Sequence, residues 1–97
     1  MRVISVKVLR EFWQKHPQAE EPLTAWVDDT KRAQWSSPSD IKDRWANASI
    51  IGQNRVVFNI KGNDYRLIVA VHYRRDKVYI RFVGTHSDYD RIDAETI

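Results

Sequence analysis

Three side chains late in the sequence, Arg66, His86 and Tyr89, bring together a planar cation, a group that exchanges a proton near neutrality, and an aromatic hydroxyl. An imidazole with a reference pKa of about 6.5 serves as acid or base at physiological pH. A guanidinium offers two parallel N–H groups to one phosphate. Lys61 adds a second point charge, Asn59 a carboxamide able to orient a phosphate or a base edge, and Arg81 a further candidate phosphate contact. Tyr89 can stack on a base or donate a hydrogen bond. This set meets the needs of metal-free RNA cleavage by a ribose 2′-hydroxyl: a proton acceptor for that hydroxyl, a proton donor for the leaving oxygen, and positive charge on the phosphate between them. Plainer uses exist for each. A lone histidine at a strand end is more often a satisfied structural side chain, and arginines on strands also serve as salt-bridged solvent-facing residues.

The charge distribution favours a polyanion. Residues 54–84 hold seven Lys or Arg against two acids, Asp64 and Asp76, in a chain whose overall net charge is +3. Such a segment is the footprint expected of a phosphate-bearing partner. With no cysteine there is neither a disulfide framework nor a thiolate zinc site, and His16, His72 and His86 stand too far apart to read as a metal motif. No cofactor or metal is therefore expected. The opening MRVISVKVLREFWQ is broken by charge every few residues and no run approaches the length of a membrane span, so the reading is of a cytoplasmic protein without membrane contact. At 97 residues, the chain is expected to form one domain spanning 1–97.

The elements that must position these residues fall into two halves. A short strand at residues 2–5 precedes a helix in which Val6, Leu9, Phe12 and Trp13 recur at helical spacing until Pro17. A second helix is predicted from Pro22, with Leu23, Trp26, Val27 and Thr30 on one stripe. Ser37, Pro38 and Asp40 announce a short third helix with a cap, a first-turn proline and an acid at N3, running through about Trp45. Trp13, Trp26, Trp35 and Trp45 all lie in or near these helices, where core packing is the default.

In the second half, aromatic and β-branched residues alternate with polar ones in RVVFNI, YRLIVAVHY and KVYIRFV. The joins KGND and RRD are short enough for antiparallel hairpins, with Gly62-Asn63 supplying residues that tolerate positive φ. The fold class is thus α+β, two to three N-terminal helices packed on a mainly antiparallel sheet of three to four strands. Setting Tyr73 and Lys77 on either side of the last turn pairs Val69 with Arg81, Leu67 with Val83 and Arg66 with Gly84. The KGND turn lies at that same end, so Asn59, Lys61, Arg66 and the residues after Gly84 should cluster. Arg81 is expected on the face opposite Arg66, and His72 at the far end of the hairpin. Thr85 and Asp88 match a capping box, which predicts a short helical turn holding His86 and Tyr89 on one face. The open N–H groups of such a turn suit a phosphate, unless Asp88 or Asp90 fills that role.

The block VVFNIKGNDYRLIVAVHYRRDKVYIRFVGTHSDYDRID, with FNI, GN, YRL and GTHSDYD in order, resembles the C-terminal half of HigB-type toxins, part of the RelE-like group of messenger-RNA endonucleases. The resemblance implies a small α/β toxin that cuts mRNA in the ribosomal decoding (A) site. It also implies a HigA-type helix-turn-helix antitoxin, through which alone operator DNA would be contacted. It carries catalytic roles to Arg66, His86 and Tyr89, and RNA contacts to Asn59 and Lys61. Relatives often place further basic residues after the last strand, where this chain has THSDYD. That departure leaves the general base and general acid open among His86, Tyr89 and an ordered water. The rival readings are a non-catalytic RNA-binding module and a protein-interaction domain whose basic surface meets an acidic partner.

Overall fold

The computed structural model describes Met1–Ile97. Strand β1 (Arg2–Ile4) leads into helices α1 (Val6–Lys15), α2 (Glu20–Arg32) and α3 (Pro38–Arg44). Strands β2 (Ser49–Ile51), β3 (Arg55–Ile60), β4 (Tyr65–His72) and β5 (Lys77–Thr85) follow, and α4 (His86–Tyr89) is a single helical turn. The five strands form one sheet in the order β1-β5-β4-β3-β2, antiparallel except where β1 runs parallel to β5. This is the expected α+β architecture with one strand more. The addition is β2, three residues long and too short for alternation to reveal.

The starts of α2 and α3 differ in detail from the expected ones. α2 begins at Glu20 rather than Pro22. Pro22 thereby falls within the first turn, where its missing N–H costs nothing because those groups have no intrahelical acceptor. Ser37 occupies the N-cap of α3, yet its hydroxyl lies 2.9 Å from that of Ser39 instead of capping. Asp40 instead reaches back to the residue before the cap, its carboxylate accepting from both the backbone N–H and the hydroxyl of Ser36 at 2.9 Å. Those bonds hold the Asp40 carboxyl below its ordinary value.

The main core lies between the helices and one sheet face, where Leu9, Leu23, Trp26 and Ile41 meet Val56, Phe58, Leu67, Val69 and Val78. Phe58 sits at its centre, with the rings of Trp26, Trp45 and Trp35 at 5.3, 5.8 and 6.2 Å. Each such aromatic pair is worth about 0.5–1.5 kcal/mol beyond its buried area. Trp26 and Trp35 are thus core residues, as their place in the sequence suggests. The second face of the sheet is not bare. Val57 and Ile68 are covered by Ala94, with Phe82, Tyr89, Ile92 and Ile97 packed around them. This is why Tyr65–Val71 reads as nearly continuous apolar sequence: β4 is central and covered on both faces, Arg66 alone being only half-buried.

The register at the Gly84 end is the one that strand counting gives, with Arg66 opposite Gly84 and Leu67 opposite Val83. Beyond Ile68 it shifts by one: Val69 pairs with Ile80, not Arg81, and His72 with Lys77. A β-bulge absorbs Arg81 as the unpaired residue. The bulge also overturns the expected facing of Arg81. Its Nε donates to the carbonyl of Ile97 at 3.2 Å, and Ile97 packs with Ile68, which shares a face with Arg66.

Candidate active site

Pairing brings one end of three strands together. Asn59 lies directly across from Arg66, Arg66 across from Gly84, and Tyr65 across from Thr85. The intervening turn takes its left-handed residues at Lys61 (φ 53°) and Gly62 (φ 64°), one position earlier than Gly62-Asn63. Lys61 is at this same end, in an exposed contact with Asp64 at 3.4 Å. An exposed pair of this kind is worth little and leaves the ammonium free to exchange partners.

Arg66 Nη1 donates to the carbonyl of Asn63 at 3.1 Å and to that of Tyr65 at 3.4 Å. The guanidinium is thereby aimed without being neutralised, since it enters no ion pair. Its Cζ lies 5.8 Å from the centroid of the Tyr89 ring, within cation–π range. Tyr89 in turn packs against the apolar cluster on the second face, which limits its freedom.

The turn carrying His86 and Tyr89 is fixed by the predicted capping box. The N–H of Asp88 donates to Thr85 Oγ1 at 3.1 Å, and the N–H of Thr85 donates to Asp88 Oδ2 at 3.1 Å. The backbone N–H of Thr85 is the largest reason the Asp88 carboxyl is held below its ordinary value, and the positive charge of Arg91 and His16 adds to it. The N-terminus of α4 is therefore filled by its own chain. Gly84 makes the close approach possible: a Cβ there would fall 2.6 Å from Phe82 Cζ and 2.9 Å from Asp88 Cβ.

Asp90 takes a different part. Its Oδ2 lies 3.2 Å from His86 Nδ1, which leaves Nε2 as the imidazole nitrogen facing away from the carboxylate. The spacing of four on a helical turn makes this pair legible in the sequence, although Asp90 reads there only as an alternative filler of the cap. His16 is the residue that sequence reasoning passes over. Placed at the end of α1, its ring stacks on Phe12 at 4.4 Å and meets the Tyr65 ring edge-on at 5.8 Å. Nothing local signals this placement, which depends on where α1 crosses the sheet.

Among the candidates, Asn59, Lys61, Arg66, His86 and Tyr89 are thus brought to one end. Arg81 is not. It lies part-way along β5, where it and Arg55 both donate to the carbonyl of Ile97 and fasten the segment over the second face. His72 stands at the opposite end of β4, exposed, with its ring 4.9 Å from that of Tyr79.

The α+β domain, with a mainly antiparallel sheet carrying Arg66, a carboxylate-held His86 and Tyr89 at one end, is that of a small RelE-like toxin. The chain belongs to the HigB toxin family, the RelE-like toxic component of a toxin-antitoxin system, matching that family over residues 19–92. It is 29% identical over 96 residues to the mRNA interferase toxin HigB of Escherichia coli strain K12, covering 97% of this chain and 92% of that protein. Proteins named mRNA interferase HigB from Escherichia coli O157:H7 and Shigella flexneri match to the same extent. As the toxic half of such a system, the chain has an antitoxin as its partner. None of its helices is long and apolar enough to cross a membrane.

Proposed function

We propose that this chain is an mRNA interferase: a metal-independent endoribonuclease that cuts translated mRNA in the ribosomal A site and so arrests translation and growth. The observation that carries the reading is the pairing of an un-neutralised Arg66, aimed by two backbone carbonyls, with a His86 whose Nδ1 is occupied by Asp90. Arg66 contacts the scissile phosphate, His86 moves a proton, and Tyr89 stacks on or hydrogen-bonds the nucleotide beside it. Asn59 and Lys61 orient the flanking backbone, and Arg81 contacts RNA only at a distance from the cut. The relatives' names support the activity, as does the match to the toxin family. Its antitoxin is of the HigA type, with a helix-turn-helix domain that alone touches operator DNA, and the pair works in the cytoplasm.

Inducing the chain in cells and mapping mRNA 5′ ends tests the proposal. New ends inside translated regions are expected, absent with Arg66→Ala and His86→Ala, each lowering cleavage by about 10²-fold or more. Unchanged ends in growing cells would overturn it.

A further inference from the structure

Cleavage by a 2′-hydroxyl moves two protons, and the cluster around His86 accounts for only one of them. The hydroxyl must lose a proton as its oxygen bonds to phosphorus, and the 5′ oxygen must gain one as its bond to phosphorus breaks. With Nδ1 beside the Asp90 carboxylate, His86 has Nε2 to accept a proton and a neighbour that stabilises the imidazolium formed. Tyr89 is held in another task, its ring engaged by Arg66 and the second-face cluster.

One other imidazole stands at this end of the sheet. His16 approaches from the helical side, its ring 5.8 Å from that of Tyr65, and Tyr65 is the direct cross-strand partner of Thr85, the residue before His86. Directly opposed residues of an antiparallel pair are about 4.5–5.5 Å apart at Cα, so the two histidines flank the same strand end. His16 is half-buried, stacked on Phe12, and its ring makes no hydrogen bond inside the chain. The third histidine, His72, is at the far end.

We propose that His16 is a second catalytic residue, the general acid that protonates the departing 5′ oxygen while His86 takes the 2′-hydroxyl proton. The 2′ oxygen–phosphorus bond forms, the phosphorus–5′ oxygen bond breaks, and the products are a 2′,3′-cyclic phosphate and a 5′-hydroxyl. Each imidazole then returns to its starting state by proton exchange with water. The inference rests on the mRNA-interferase reading.

The test uses a short mRNA on programmed ribosomes, with either an ordinary linkage or a 5′-bridging sulfur at the cut site. A thiolate leaves without being protonated. His16→Phe keeps the stack on Phe12 and removes the proton. It should slow cleavage of the ordinary linkage by about 10²–10⁴-fold and cleave the sulfur linkage at the wild-type rate, which also shows that the variant is folded. His86→Ala should be slow on both. His16→Gln, a polar replacement, should match His16→Phe on each substrate. Wild-type speed of His16→Phe on the ordinary linkage would overturn the inference alone, as would a defect in both variants that persists on the sulfur linkage. Failure of the wild-type chain to cut either RNA would overturn the proposed function with it.

Discussion

Asp90 lies one helical turn beyond His86, and both side chains are more than half exposed. A contact so open to water contributes little to folding, and on the proposed reading its value lies in holding the imidazole in one orientation and tautomer. Asp90→Asn is accordingly expected to leave the thermal midpoint almost unchanged while lowering kcat by about tenfold, equivalent to ~1.4 kcal/mol of transition-state stabilisation. Single-turnover cleavage beside a melting curve checks this. A large drop in melting temperature with unchanged kcat would assign Asp90 to structure instead. Arg66 differs in kind, because its backbone acceptors survive any change at α4, and on the proposed reading its replacement removes charge from the phosphate directly.

The decisive element is α4, four residues that carry two of the proposed catalytic side chains on a frame made by Gly84, Thr85 and Asp88. Gly84→Ala forces a methyl against Phe82 and Asp88. Overpacking of this sort costs about 1–3 kcal/mol. Since Asp88 belongs to the cap, the displacement reaches His86, and cleavage should fall further than the loss of stability explains. Activity measured well below the melting temperature separates the two effects. The cap also has a pH signature. Asp88 is held below the ordinary carboxylate value of 3.8, so its stabilisation is full above that value and fades as pH falls through the lowered one. The difference in melting temperature between wild type and Asp88→Ala should be constant from neutrality to about pH 5 and vanish in stronger acid.

These elements show where sequence alone suffices. The capping box and the convergence of Asn59, Arg66 and Gly84 were legible because they depend on neighbours and on short hairpins. The bulge at Arg81 was not, since one inserted residue leaves alternation intact on either side of it. Strand β2 and the cover over the second face were equally hidden, the first by its length and the second because residues 90–97 lack any periodic pattern. His16 was out of reach for a different reason. Its position follows from the parallel pairing of β1 with β5, a contact between the two ends of the fold that no turn announces.

Across the whole molecule, the sheet is clamped between unequal covers, a large helical core on one side and a small cluster on the other. Phe58 joins α3 and the flanking tryptophans to the sheet, so Phe58→Ala should cost about 3–5 kcal/mol. Against a total of about 5–15 kcal/mol for a domain of ordinary stability, chemical denaturation should show a chain near the edge of unfolding. The site would fail with it, because Asn59 lies on the same strand as Phe58, and Arg66 on the strand paired with it.

Strand β1 carries one more consequence, for synthesis. Arg2 leaves the ribosome well ahead of its partner Lys77, and Ile4 waits for Tyr79. Contacts so distant in sequence are slow to close and reward the chain only once the loop between them is ordered. The edge of the sheet beside β5 therefore stays open until β5 itself has emerged, and the strand end that carries Thr85 and His86 is made only with it.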